Sequence, residues 1–101
     1  VGWLERTEID QSKAMAFLVD GAAGSPIGKV VTARMVSGDY APNFLLRLMT
    51  KDLGYAVAEA GQRNITLHSA AAALAQFRAA IDAGHGDKDM AAIVEAVRIK
   101  A

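Results

Sequence analysis

Lys51 is the residue of this chain whose type and position could do chemistry. It stands within Asn43–Gly61, NFLLRLMTKDLGYAVAEAG, which reads as one helix of about five turns. Leu45, Leu46, Met49, Leu53, Ala56, Val57 and Ala60 fall on one arc about 120° wide, the core stripe of an amphipathic helix. A second arc carries Phe44, Leu48, Lys51 and Tyr55, which leaves only Arg47, Thr50, Gly54 and Ala58 for a free face. A helix apolar over most of its circumference belongs inside an assembly. A lysine in the middle of its second arc therefore has two readings. In one, its stem lies on apolar neighbours and its ammonium reaches water, paired with Asp52 or Asp20. In the other, the arc faces a cleft and Lys51 offers a compact cation to an anionic ligand. Phe44, two turns earlier, would line the same cleft.

The rest of the chain holds no catalytic constellation. It shows no Ser–His–Asp order, no GxGxxG, and no carboxylate pair, since Asp52 and Glu59 share no arc. His68 reads as a solvated or cap-region histidine, with no second ligand at metal-binding spacing. His85, in a turn, is a weak candidate for contact with a partner or ligand edge. GAAGSP at 21–26 lacks the spacing and the preceding strand of a phosphate loop. No catalytic residue and no metal site is assigned.

Composition bounds the class. At 101 residues the chain makes one domain. A hydrophobic fraction of 52% marks it as globular, and abundant alanine with few β-branched residues favours helix over sheet. Eleven basic and eleven acidic residues are interspersed, so the basic stripe of a nucleic-acid binder is missing. The absence of cysteine removes disulfides and thiolate metal sites. No apolar run approaches the ~20 residues of a membrane span. Val1–Asp10 does not resemble a signal peptide, and a cytoplasmic location is expected. A first residue other than Met suggests an excised or processed chain.

Around the central helix the pattern predicts four more. Val1–Glu8 reads as the tail of a helix, with Trp3 as a packing anchor. Asp10 caps a helix whose face is Ala14, Phe17, Leu18 and Gly21, and Gly21–Gly24 ends it, glycine taking the left-handed conformation with ease. Ser25-Pro26 starts a helix to about Val36, with Ile27, Val30, Val31 and Met35 inward and Lys29 and Arg34 on the wet side. Asn43 caps the central helix and Gly61 ends it. Thr66 or Ser69 caps a helix to Ala83 with Ala70, Ala73, Leu74, Phe77, Ala80 and Ile81 on its inner face. Asp87 caps the last helix, whose core face is Met90, Ile93, Val94 and Val97. Lys88 and Asp89 are expected to be solvated, and Arg98 and Lys100 to suit the helix dipole.

The chain resembles the C-terminal domain of the β-hydroxyacid dehydrogenases. Their KDLGxAxD segment is matched at Lys51, Asp52, Leu53, Gly54, Tyr55 and Ala56, with Ala58 replacing the final acid. Phe44 stands seven residues before the lysine, as in the family. The family's G-x-G-D-x-D turn is matched by Gly84, His85, Gly86, Asp87, Lys88 and Asp89, and GAAGSP resembles its small-residue helix–helix turn.

The resemblance implies an all-α, compact bundle of about five helices, the C-terminal domain of the 6-phosphogluconate dehydrogenase-like type. It makes residues 1–101 a single domain, with 1–8 the tail of an interdomain helix. The Rossmann domain and the catalytic lysine would lie upstream. The parent would be an NAD(P)-dependent oxidoreductase acting on a short 3-hydroxy acid or semialdehyde, with NAD or NADP as cofactor. In that scheme Lys51 approaches the cofactor, Phe44 covers the substrate and Asp52 helps set the site. Partners would be the parent's own Rossmann domain and a second copy in a homo-oligomer, with neither nucleic acid nor membrane. Alternatives are the same domain of an imine reductase-like relative, or a non-catalytic helical interaction module.

Overall fold

The computed structural model describes residues 1–22 and 24–98; Lys100 and part of GAAGSP lie outside them. The fold is all-α, as the alanine-rich pattern implies. Among the described residues it has four α-helices, α1 (Gln11–Asp20), α2 (Pro26–Ser37), α3 (Leu46–Gln62) and α4 (His68–Asp82), and a 3-10 helix over Met90–Ala96. Within residues 1–8, helical structure is confined to a 3-10 turn at Leu4–Arg6. Among the described residues, extended pairing is limited to one antiparallel bridge between Leu45 and Asp89.

Two helix starts follow the sequence. Asp10 Oδ1 accepts the Lys13 N–H at 3.0 Å and Ser25 Oγ accepts the Gly28 N–H at 3.0 Å, each satisfying a donor without an intrahelical partner. Gly38 closes α2 in the left-handed region at φ 72°, where a side chain would be strained. Gly21 instead ends α1 in extended backbone, so the expected left-handed cap is not there.

The start of α3 departs from expectation. Its first helical residue is Leu46, so Asn43 caps nothing and Phe44 lies in the connector before the helix. Tertiary structure caps α3 instead. The Leu46 and Arg47 N–H groups donate to the Lys88 and Gly86 carbonyls, at 2.9 and 3.0 Å. The turn supplying those carbonyls opens at Gly84, whose φ of 96° favours glycine.

The core is small and sits where α3, α4 and the 3-10 helix meet. Leu46, Ala80 and Ala92 are fully buried, with Tyr40, Phe77, Ile81, Ile93 and Ala96 packed around them. The inner face assigned to α4 is correct at all six positions, each buried or half-buried. The buried stripe of α3 is rotated toward Thr50, which is buried, and Gly54, which is half-buried; both were expected on the free face. Thr50 is small, and its hydroxyl donates to the Leu46 carbonyl at 2.9 Å, so its burial leaves no polar atom unpaired. In the 3-10 helix the buried residues are Ala91, Ala92 and Val94, whereas Val97 is exposed.

Helix α1 packs on α2, and none of its residues is buried. Phe17 is 77% exposed and Trp3, expected as an anchor, 71%. Leu18, Ile27 and Val30 are also exposed. The radius of gyration is 14.6 Å against about 13 Å for a compact domain of this length, which fits α1 standing out from the core on α2.

At the other end, Arg98 gathers the chain. Its Nε donates to Glu5 at 2.8 Å, its Nη2 to the Met35 carbonyl at 2.7 Å, and its Nη1 to Glu95 and to the Tyr40 hydroxyl. Hydrogen bonding to Glu5 is the main reason that Arg98 holds its proton more firmly than an ordinary arginine. Burial, followed by the hydrogen bond to Glu95, pushes the Tyr40 hydroxyl up to about 12. A Cβ on the buried Gly2 would come within 2.8 Å of Val97 Cγ2, so the first residues lie directly on the last described ones.

Candidate functional site

Lys51 lies in the second turn of α3 and is exposed. Its Nζ stands 5.8 Å from the centroid of the Tyr55 ring, within range of a cation–π interaction. Among the described residues it pairs with neither suggested carboxylate. Asp20 is 3.8 Å from Lys29 instead, and Asp52 is exposed with no ion pair among the described residues. Leu48 and Tyr55 are exposed beside Lys51. Phe44 being outside the helix, the second arc is reduced to Leu48, Lys51 and Tyr55, an uncovered stretch of α3 that carries a cation between two apolar side chains and suits an anionic ligand with an apolar body.

Phe44 is 38% exposed and lines a cavity of about 250 Å³. Ile27, Val30 and Val31 of α2, Met49 of α3 and Met90 give it apolar walls, with Arg34 and Asp89 on its polar side. The structure therefore puts Phe44 in the wall of a cavity and Lys51 and Asp52, which do not line it, on the exposed surface of α3.

Sequence reasoning missed the residues beneath Phe44. Asp89 is not solvated but 2% exposed. Asp89, not Asp87, caps the 3-10 helix, through Oδ2 and the Ala91 N–H at 2.9 Å. Its Oδ1 accepts the N–H groups of Asn43 at 2.9 Å and Phe44 at 3.0 Å, and Arg34 Nη1 lies 3.1 Å from the same oxygen. Burial pushes the Asp89 carboxyl up, but hydrogen bonds from Ala91, Phe44, Asn43 and Arg34 outweigh it and hold it below the ordinary aspartate value. Arg34, expected on the wet side, has a side chain only 17% exposed. A signal was present: Ile27, Val30, Val31 and Arg34 follow i, i+3, i+4, i+7 spacing and so share one helix face, the one that lines the cavity, where a half-buried arginine calls for an anion. Asp87 is exposed and binds Arg47 at 2.9 Å.

A family model described as the NAD-binding domain of NADP-dependent 3-hydroxyisobutyrate dehydrogenase matches residues 1–97. The chain belongs to this family. It is 38% identical over 68 residues to 3-sulfolactaldehyde reductase of Escherichia coli (strain K12), covering 67% of this chain and 23% of that protein. It is 35% identical over 78 residues to glyoxylate/succinic semialdehyde reductase 1 of Arabidopsis thaliana, covering 77% and 27%. A crystal structure of 3-hydroxyisobutyrate dehydrogenase from Salmonella typhimurium superposes with a TM-score of 0.85 at 26% identity, over 93% of this chain and 33% of that one. The chain thus spans about a quarter to a third of the length of the relatives it matches. Among the described residues no helix is long and apolar enough to cross a membrane, and no group of three or more His, Asp or Glu is placed to hold a metal ion.

Proposed function

We propose that this chain is the helical cleft wall of a larger NAD(P)-dependent oxidoreductase that interconverts a short 3-hydroxy acid and its semialdehyde. The observation that carries the proposal is the uncovered face of α3, where Lys51 stands exposed beside Tyr55 in a chain of an NAD-binding family. Lys51 would hold a phosphate of the dinucleotide as a point charge. Phe44 would cover the substrate and keep water from the reacting carbon, and Asp52, next to Lys51, would help set the site. The nicotinamide supplies or takes the hydride; this chain contributes binding and enclosure, and no catalytic residue.

The upstream partner in this reading is the parent's own Rossmann domain, bearing the catalytic lysine. One wall cannot supply the orientation that hydride transfer needs, so the 101 residues alone are expected to lack activity. The exposed Phe17, Leu18, Ile27 and Val30 support a second copy or that domain as cover for α1 and α2. A cytoplasmic dimer fits, because NAD(P) pools are intracellular and two-fold pairing is the commonest assembly.

The test is NAD(P)H oxidation by the full-length protein with glyoxylate, succinic semialdehyde and 3-sulfolactaldehyde, beside its Lys51→Ala variant. Turnover of at least one carbonyl, with a raised KM for the cofactor in the variant, supports the reading. Wild-type cofactor kinetics in the variant would remove Lys51 from the site.

A further inference from the structure

We propose that Asp89, paired with Arg34, is the positioning residue for Phe44 and so sets how this domain closes over a substrate. This rests on the reading that Phe44 covers the substrate.

The two oxygens of Asp89 do different jobs. Oδ2 caps the 3-10 helix through Ala91, which is all that a structural N-cap requires. Oδ1 is given to the connector before α3, taking the N–H groups of Asn43 and Phe44. The Phe44 carbonyl accepts the Met90 N–H at 2.8 Å, so both backbone polar groups of Phe44 are held by two consecutive residues. What remains free is rotation about its side-chain bonds.

The rest of the connector is bound to the same point. Tyr40 accepts the Asp89 N–H at 2.9 Å. Arg34 Nη1 donates to the Ala41 carbonyl at 2.6 Å while it faces Asp89 Oδ1, and so ties α2 to the connector. A buried carboxylate loses hydration that only well-placed donors offset. A helix cap on the surface would do the structural job without that loss. The buried pair is explained when the connector must hold Phe44 in one place, since an aromatic cover acts only where it is held.

Steady-state kinetics of the full-length protein test this, with whichever of the three carbonyl compounds above it reduces. The variants are Asp89→Asn, Arg34→Lys, Phe44→Ala and Asp89→Asn/Phe44→Ala. Asp89→Asn should raise the KM for the carbonyl substrate about tenfold, as misplacement of a positioning group does, and leave the KM for NAD(P)H within about twofold because Lys51 is untouched. Arg34→Lys, which keeps the charge and loses the fork, should act in the same direction. It carries the test if Asp89→Asn does not fold. In the Phe44→Ala background Asp89→Asn should add nothing, because a residue acting through Phe44 has no target there. An Asp89→Asn effect of equal size with and without the Phe44 ring would overturn the proposal, as would wild-type KM values in both Asp89→Asn and Arg34→Lys. If Phe44→Ala itself leaves the substrate KM unchanged, the cover reading fails and this proposal falls with it. That outcome is distinct from an active Phe44 with an independent Asp89.

Discussion

Lys51 Nζ rests 5.8 Å from the centre of the Tyr55 ring, one helical turn further along α3. An exposed cation–π contact of this kind stabilises by about 0.5–1 kcal/mol. Lys51→Ala should therefore lower the stability of the domain by no more than ~1 kcal/mol, read by urea unfolding. A larger loss would make Lys51 a packing residue.

Asp89 gives the domain an acid-sensitive point. Its carboxyl is held below the ordinary aspartate value, so its contribution is present above the unfolded-state pKa of about 3.9 and is lost as pH falls through the lower folded value. Thermal melts of the wild type should be level from neutral pH to about 5 and then fall. Asp89→Asn should melt lower at pH 7 and show a shallower acid decline. Asp89→Ala leaves Arg34 without its counter-charge and three N–H groups without an acceptor, and should cost about 3–5 kcal/mol.

Gly54 is half-buried in the middle of α3, yet a Cβ there would meet no atom within 4 Å. Gly54→Ala should stabilise the isolated domain by about 0.5–1 kcal/mol through helix propensity and the reduced freedom of the unfolded chain. Urea midpoints with an unchanged slope would show it. A loss of stability would mean that the helix surface there is closer to its neighbours than the geometry gives.

Tyr40 is an alkaline reporter. Its hydroxyl is pushed up to about 12, so the stability it adds is complete below the ordinary tyrosine value of about 10 and is lost as pH rises through 12. Absorbance titration of the two-tyrosine chain should show a phenolate step near pH 12 that Tyr40→Phe removes. The variant should lose about 1 kcal/mol at neutral pH, the ordinary worth of such a hydrogen bond.

The apolar side chains left outside by α1 and α2 predict association of the isolated domain. Light scattering at micromolar concentration should give more than the monomer mass. Phe17→Ser, at a position 77% exposed, should shift it toward monomer with little change in stability.

What could be read from sequence was local. Asp10 and Ser25-Pro26 announce helix starts because their caps bind N–H groups three residues away, and the face of α4 follows from spacing alone. Phe44 and Lys51 drew notice because an aromatic and a cation recur on an otherwise apolar arc. The start of α3 was not legible, because its first N–H groups are satisfied by carbonyls some forty residues later, at Gly86 and Lys88. Asp89 looked like a surface acid for the same reason: its partners Asn43 and Phe44 are 46 and 45 positions away. The exposure of Phe17 ran against the usual burial of large rings because, among the described residues, α1 packs chiefly on α2; nothing in the structure explains that of Trp3.

The Glu5–Arg98 bond spans 93 positions at 2.8 Å, and with Gly2 seated on Val97 it makes the backbone of the described residues a nearly closed ring. The order in which the ring is read then becomes a matter of choice. A circular permutant that joins the two ends by a short Gly/Ser bridge and opens in the exposed stretch 63–67 would keep α3, α4 and the Asp89 contacts intact, since cuts at exposed loop tips are the tolerated ones. It would carry α4 at its beginning and α3 at its end. Polypeptide fused at either new end would then emerge between α3 and α4, far along the chain from the Glu5–Arg98 corner.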